Sequence, residues 1–211
     1  MAEYTWHEFY DMVRDEANKG DTINTVLPNA IYRAIRSIEE NWSYKWNEKL
    51  LRFSLNPEVD NPNLLELPDD FKSVVALNLS TSDFSECYRN LQEQGPEDFT
   101  FSKVREPYGY WNQANRWLWL DGTVAGGTSG MLWYNAFTLK DDCAEGDGTC
   151  PMLKYGLEAL LGMTMKQLAA YCREPSWNES YGQLAEIGIK TLHVADAEVR
   201  RATETGQFGG L

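Results

Sequence analysis

The chain has 211 residues, of which 43% are hydrophobic and 24% charged, and its formal net charge is −13. This acidity argues against a protein that reads nucleic-acid sequence, because such proteins present a basic surface to phosphate, and against docking on an anionic membrane. It is compatible with a surface that DNA slides past without sticking. Eight Trp and eleven Tyr predict either an aromatic core or large interfaces with partners.

The N-terminus has no basic segment followed by an apolar one, and no apolar run approaches the roughly 20 residues of a membrane span. We therefore expect a soluble protein that is made in the cytosol, with no membrane partner. Cysteines of such proteins are more often free than paired. Cys143 and Cys150 flank an acidic loop. The alternative is a disulfide between these two residues that closes the loop.

Two helices are predicted in the first 48 residues. Thr5 and Glu8 have the spacing of a capping box, and apolar residues then recur at helical intervals up to Gly20. A second apolar stripe predicts a helix from Pro28 to about Trp46, with its charged residues, Glu39 included, on the wet face. The end of this helix is densely aromatic, which favours a cap on the core and leaves an intersubunit contact as the alternative.

From residue 49 to 150 the pattern changes to short alternating runs between loops rich in Pro, Gly, Asn and Asp, which predicts an inserted antiparallel β module. The predicted strands are 51–55, 64–67, 74–79, 88–91, 116–120 and 131–139. Residues 97–102 predict a short helix and residues 105–115 an aromatic loop. Asp121-Gly122 predicts a tight turn and a hairpin between the last two strands.

Two further helices are predicted between Pro151 and about Thr205, separated at Glu174-Pro175 and packed as an antiparallel hairpin. The predicted fold class is therefore α+β. A bundle of about four helices, formed by 1–48 and 151–205, carries the β module of 49–150. Residues 206–211 contain three Gly and predict an extended tail, in which Phe208 and Leu211 have no local core to join.

The sequence contains no pattern typical of an active site. The Gly-rich segment 122–130 lacks the Lys that a phosphate-binding loop needs, and the acidic residues of 141–147 lack the spacing of a calcium loop. The two His lie far from the four Cys in sequence. We therefore expect no enzyme activity, no cofactor and no metal.

Aromatic and tail residues are the candidates for binding a partner. Trp117 and Trp119 lie two apart on a predicted strand and therefore share a face, which we expect to oppose Trp133 and Phe137. This face is predicted to be the core of the β module, with a protein interface or a sugar-stacking platform as alternatives. The complete set of candidates is Tyr110, Trp111, Trp117, Trp119, Phe208 and Leu211.

Several motifs follow one another in a characteristic order. They are Ala-Ile-Tyr-Arg-Ala-Ile-Arg-Ser-Ile-Glu-Glu at 30–40, Leu67-Pro-Asp-Asp-Phe71, Trp-Leu-Trp-Leu-Asp-Gly at 117–122, Met131-Leu-Trp-Tyr-Asn-Ala136 and Pro151-Met-Leu-Lys-Tyr-Gly-Leu-Glu-Ala-Leu-Leu161, followed by Tyr171, Pro175 and Tyr181. Over about residues 24–200, their order and spacing resemble the adaptor, or head-to-tail connector, proteins of short-tailed bacteriophages.

The resemblance implies a structural virion protein without catalytic residues. Such proteins form a homo-oligomeric ring, commonly a dodecamer, beneath the portal protein of a filled capsid. The ring carries the tail nozzle and fibre proteins and leaves a channel for DNA ejection, and an extended terminus grips a neighbour or the portal. The implied location is the portal–tail junction, after assembly in the host cytoplasm. A carbohydrate- or ligand-binding module that uses the aromatic β face remains the alternative.

Overall fold

A computed structural model describes residues 4–55, 63–80, 89–95, 109–113, 116–121 and 128–204. The fold is a mixture of helices and strands, which confirms the predicted α+β class. The chain divides into two compact units. A helical unit combines Met1–Trp46 with Thr138–Leu211, and a strand unit comprises Asn47–Phe137.

The helical unit draws its helices from both ends of the chain. They are α1 (Trp6–Ala17), α2 (Leu27–Asn41), α3 (Pro151–Tyr155), α4 (Leu157–Cys172) and α5 (Trp177–Glu204). The predicted capping box begins α1, because the Thr5 amide donates to the Glu8 carboxylate at 2.8 Å and the Glu8 amide donates back to the Thr5 hydroxyl at 3.2 Å. Both backbone donors are thereby satisfied at the start of the helix.

Two predicted helix ends are wrong. The first helix stops at Ala17 rather than near Gly20, because Asn18 takes the left-handed conformation with φ 48° and caps it. The second stops at Asn41 rather than about Trp46, because Trp42 is extended and its indole nitrogen donates to Asp196 at 3.1 Å. The aromatic segment after α2 therefore does not continue this helix, contrary to the prediction.

The helix predicted to begin at Pro151 and continue to Glu174-Pro175 is divided at Gly156 into α3 and α4. A Cβ atom at Gly156 would overlap the side chain of Leu192 on α5. This close approach is available only to glycine. The junction between α3 and α4 is therefore fixed by packing against α5.

Helices α4 and α5 form the predicted antiparallel hairpin. Where the two helices meet, a Cβ atom on Gly188 would overlap the backbone nitrogen of Ala159. The buried positions of α5 are Ala185, Gly188, Leu192 and Asp196, which recur at helical spacing along one stripe. Small residues in this stripe let the two helices meet backbone to backbone.

The strand unit holds a seven-stranded sheet in the described residues. Its strands are β1 (Glu48–Ser54), β2 (Leu64–Glu66), β3 (Phe71–Ser80), β4 (Arg89–Glu93), β5 (Gly109–Gln113), β6 (Trp117–Asp121) and β7 (Ser129–Ala136). Their order in the sheet is β1-β7-β3-β4-β5-β6-β2. All neighbouring strands are antiparallel except β4 and β5, which are parallel.

Several details of the predicted β module are wrong. The segment 105–115, predicted as a loop, contains strand β5. Strands β6 and β7 do not pair as a hairpin, because β7 lies between β1 and β3 and β6 lies between β5 and β2. The Asp-Gly signal is local and does not determine which strands pair in the sheet. The short helix predicted at 97–102 lies outside the described residues.

The boundary of the β module also differs from the prediction. Residues 138–150 belong to the helical unit. Backbone amides of Trp6 and His7 donate to the carbonyls of Gly148 and Gly146 at 2.9 and 2.8 Å, and the Tyr10 hydroxyl donates to the Cys143 carbonyl at 3.2 Å. The acidic loop is thus tied to α1.

The contact between α4 and α5 yields a prediction about glycine. Replacing Gly by Ala inside a helix normally stabilises it by about 1 kcal/mol, but Gly188→Ala should lower the free energy of unfolding by about 1–3 kcal/mol because the new methyl group meets the Ala159 backbone. Urea denaturation measures the change.

The matched control is Gly182→Ala on the same helix, where the nearest atoms to a new Cβ belong to the flexible Lys166 side chain at 4.0 Å. This variant should be as stable as the parent or more stable. Equal effects of the two substitutions would contradict the close contact at Gly188.

Candidate functional site

The predicted partner-binding residues differ in their surroundings. Phe208 and Leu211 lie outside the described residues. Tyr110 is 6% exposed and belongs to the core of the strand unit, so it does not offer a surface to a partner. Burial, with a smaller contribution from Glu93, raises the pKa of its hydroxyl to about 12. Trp111 lies in β5, opposite Trp119 in the strand register.

Strand β6 separates an aliphatic core face from an aromatic face. Leu118 and Leu120 are fully buried, whereas Trp117 and Trp119 are half-buried on the opposite face. The predicted opposition of these Trp residues to Trp133 and Phe137 is wrong, because β6 and β7 are not neighbours. We call Trp117 and Trp119 the aromatic strip.

A cationic residue and an aliphatic residue lie next to the aromatic strip. The Arg116 guanidinium carbon lies 5.7 Å from the centroid of the Trp117 ring, a distance typical of a cation–π contact. In the register, Leu64 of β2 pairs with Trp119 and Glu66 pairs with Trp117. The strip is therefore an extended, partly exposed aromatic surface rather than the centre of the core.

Two sequence motifs meet at Asp70 in the strand unit. Asp70, from Leu67–Phe71, is 7% exposed and accepts from the Tyr134 hydroxyl at 3.1 Å and from the Lys49 ammonium at 2.5 Å. Its backbone carbonyl accepts from the Phe137 amide at 2.7 Å. Burial, aided by the Asp70 charge, raises the pKa of Tyr134 to about 12. Tyr134 belongs to Met131–Ala136, so this contact joins the two motifs.

A buried carboxylate, Glu39, holds the chain where it re-enters the helical unit. Glu39 is 1% exposed, which corrects its predicted place on the wet face of α2. Its carboxylate accepts from the Thr138 amide at 3.0 Å and from the Thr138 hydroxyl at 2.6 Å. A buried carboxylate must be hydrogen-bonded to be tolerated, and Thr138 provides two donors.

A second buried carboxylate, Asp196 on α5, holds the chain where it leaves the helical unit. Asp196 is 0% exposed and accepts from the Lys45 amide at 2.6 Å and from the Trp42 indole at 3.1 Å. Arg200, one turn further on, donates to Asp196 at 2.8 Å and to the Ser43 carbonyl at 2.5 Å. The segment after α2 is thereby fixed to the second half of α5.

Aromatic rings reinforce this attachment. His193 stacks on Trp42 with ring centroids 4.2 Å apart, and Tyr44 stacks on Trp46 at 4.8 Å. Tyr44 is fully buried, and burial raises the pKa of its hydroxyl. The aromatic cluster therefore caps the core, as predicted, although Trp42 is still 41% exposed.

The burial of Glu39 and Asp196 is not among the predictions from the sequence, although the spacing of residues in the two helices indicates it. Asp196 follows Leu192 by four residues, and Glu39 follows Ile35 by four, so each acid continues a buried apolar stripe. An acid at such a position is expected to be buried and bonded. The neighbouring apolar residues Ala195 and Val199 are only partly buried.

The cysteines of the helical unit are free thiols. Cys143 and Cys150 form no disulfide, and the Cys143 thiol donates to the Lys140 carbonyl at 3.1 Å. Burial raises the pKa of Cys143 to about 12 and that of Cys150 to about 11. Neither thiol is a nucleophile near neutral pH, because the thiolate is the reactive form.

The described residues hold no cluster of three or more His, Cys, Asp or Glu placed to bind a metal ion. Among the same residues, no helix combines the length and the apolar character needed to cross a membrane. The chain matches no protein-family model and no curated protein.

The Asp196 site leads to a stability prediction. Asp196→Asn keeps the side-chain volume but places an amide group among donors from Lys45, Trp42 and Arg200. Because hydrogen bonds to charged groups are worth about 1.5–3 kcal/mol, we expect the free energy of unfolding to fall by about 2–3 kcal/mol in chemical denaturation.

Glu186→Gln provides the control, since Glu186 is exposed on the same helix. It should change stability by less than about 0.5 kcal/mol. If both variants unfold at the parent's denaturant concentration, Asp196 does not anchor the segment after α2.

Proposed function

We propose that this chain is a structural virion protein, an adaptor subunit whose ring joins a phage portal to the tail and leaves a channel for DNA. The observation that carries the proposal is the contact between Asp70 and Tyr134. It joins two motifs, Leu67–Phe71 and Met131–Ala136, on which the resemblance to phage adaptors depends. A strand unit inserted between two helical segments of the chain also agrees with the plan that this resemblance implies.

The finer architecture belongs to the same proposal. In it, α1, α2, α4 and α5 form the four-helix bundle, and α3 is the short entry into α4. The contacts of α5 with α4 through Gly188 and Ala159, and the burial of apolar residues from all four helices in one cluster, support this arrangement.

The proposed partners are further copies of the chain, the portal protein, and the tail nozzle and fibre proteins. A net charge of −13 suits a wall along which DNA moves, because like charges repel and the phosphate backbone finds no basic surface to bind. DNA passes such a channel without sequence-specific contacts. Assembly would take place in the host cytoplasm, and the finished ring would lie at the portal–tail junction of the virion.

Electron microscopy tests this proposal. The purified full-length chain, mixed with the portal protein encoded in the same genome, should add a ring of density at the portal's exit. The portal alone and the chain alone are the controls. A dissociation constant of about 1 μM or lower is expected for a specific interface. If the chain adds no density to the portal at chain concentrations well above this value, the proposed adaptor role is wrong.

A second function, the binding of carbohydrate, is favoured by the aromatic strip. Trp117 and Trp119 are half-buried on the face of β6 opposite the core residues Leu118 and Leu120. A partly exposed aromatic ring is amphipathic and suits contacts with ligands that combine apolar and polar groups.

A glycan array tests the carbohydrate-binding candidate. Trp119→Ala should abolish any glycan signal while leaving the chain folded by circular dichroism. Trp133→Ala, at another partly exposed Trp of the strand unit, should leave the signal intact. If the parent chain binds no glycan, or if both variants lose binding alike, the aromatic strip is not a sugar platform.

A further inference from the structure

Helix α5 exposes two large apolar side chains on one face. Ile187 and Val194 are 57% and 61% exposed, which are the two highest values among the exposed large hydrophobic residues of the described chain. They are seven residues apart, so they share a face and lie about 10.5 Å apart along the helix. Glu198 follows Val194 by one turn on the same face. We call Ile187, Val194 and Glu198 the α5 ridge.

A groove of about 290 Å³ lies between α2 and α4 in the same unit. Its floor contains Ala30 and Leu168, which are 6% and 1% exposed. Arg33 and Tyr171 line its edges, and both are exposed. An apolar floor with a cation at one edge suits an apolar side chain that has a carboxylate close by.

One charged residue on the α5 ridge is complementary in sign to one at the groove. Within the described part of the chain, the side chains of Arg33 and Glu198 make no ion pair or hydrogen bond. Glu198 on the ridge and Arg33 at the groove provide charges of opposite sign.

We propose that the α5 ridge of one copy docks into the α2–α4 groove of a second copy, with Val194 over Ala30 and Glu198 paired with Arg33. Val194 precedes Glu198 by about 6 Å along α5, and Ala30 precedes Arg33 by about 4.5 Å along α2. The two spacings match closely enough for both contacts to form together.

The ridge cannot fill the groove of its own chain. The opposite face of α5, through Ala185, Gly188 and Leu192, is buried, and Gly188 is held against α4 at Ala159. The ridge therefore points away from the helices that form the groove. The two surfaces meet only between copies.

A contact between two different surfaces has a consequence for assembly. Such a heterologous interface repeats head to tail and generates either a closed ring or an open filament, whereas a contact between identical patches stops at a dimer. The inference names the surfaces by which copies meet. Closure into a ring at a portal rests on the proposed function, but the contact itself needs no portal.

Charge reversal with complementary mixing tests the contact in the full-length chain. Sedimentation velocity should show self-association of the parent at concentrations up to about 1 mM, the range of weak interfaces. Arg33→Glu and Glu198→Arg should each weaken self-association by at least about tenfold, because each places like charges together. An equimolar mixture should restore association, since each groove then meets a ridge of opposite charge.

Val194→Asp should also weaken self-association. The matched control is Val75→Asp in the strand unit, where Val75 is 47% exposed, and it should have no effect. Thermal unfolding should show that all variants remain folded. A monomeric parent, or a mixture that does not associate, overturns the inference. Portal binding in microscopy without self-association in solution would overturn this contact and leave the adaptor proposal standing.

Discussion

The helical unit depends on two buried carboxylates that hold it where the chain leaves and re-enters. Asp196 accepts from the segment after α2, and Glu39 accepts from Thr138. An ionised group taken out of water costs several kcal/mol unless nearly every lone pair is bonded. The two acids therefore require their donors in place. They hold together the two parts of the chain, Met1–Trp46 and Thr138–Leu211, that make up the helical unit.

Local chemistry made part of this fold predictable from the sequence. The capping box at Thr5 and Glu8, the α+β class and the alternating burial of β7 depend on neighbours a few residues apart. The pairing of β7 with β1 and β3 depends on residues far apart in the chain. A local turn signal such as Asp121-Gly122 therefore does not predict it. The division between α3 and α4 at Gly156 is equally unpredictable from the local sequence, because its cause is packing against Leu192 on another helix.

The candidate surfaces were predictable to a smaller extent. The Trp117 and Trp119 pair was found by its spacing, but the choice between core and surface needed the burial of Leu118 and Leu120. Tyr110 was expected at a surface and lies in the core. The motifs on which the resemblance rests also contain structural residues, Asp70 and Tyr134 among them. Residues that identify a fold need not touch a partner, so interaction surfaces must be sought among exposed side chains.

The exposed ridge on α5 follows from how tightly its other face is packed. Because Gly188 brings the backbones of α4 and α5 together, the orientation of α5 about its own axis is fixed. Ile187 and Val194 then lie on the exposed face of the helix. A preorganised ridge loses little conformational freedom on binding, which matters because ordering flexible groups opposes association. In the proposed contact between copies, the small-residue packing that stabilises the hairpin also holds the α5 ridge in place, so neither subunit would need to rearrange.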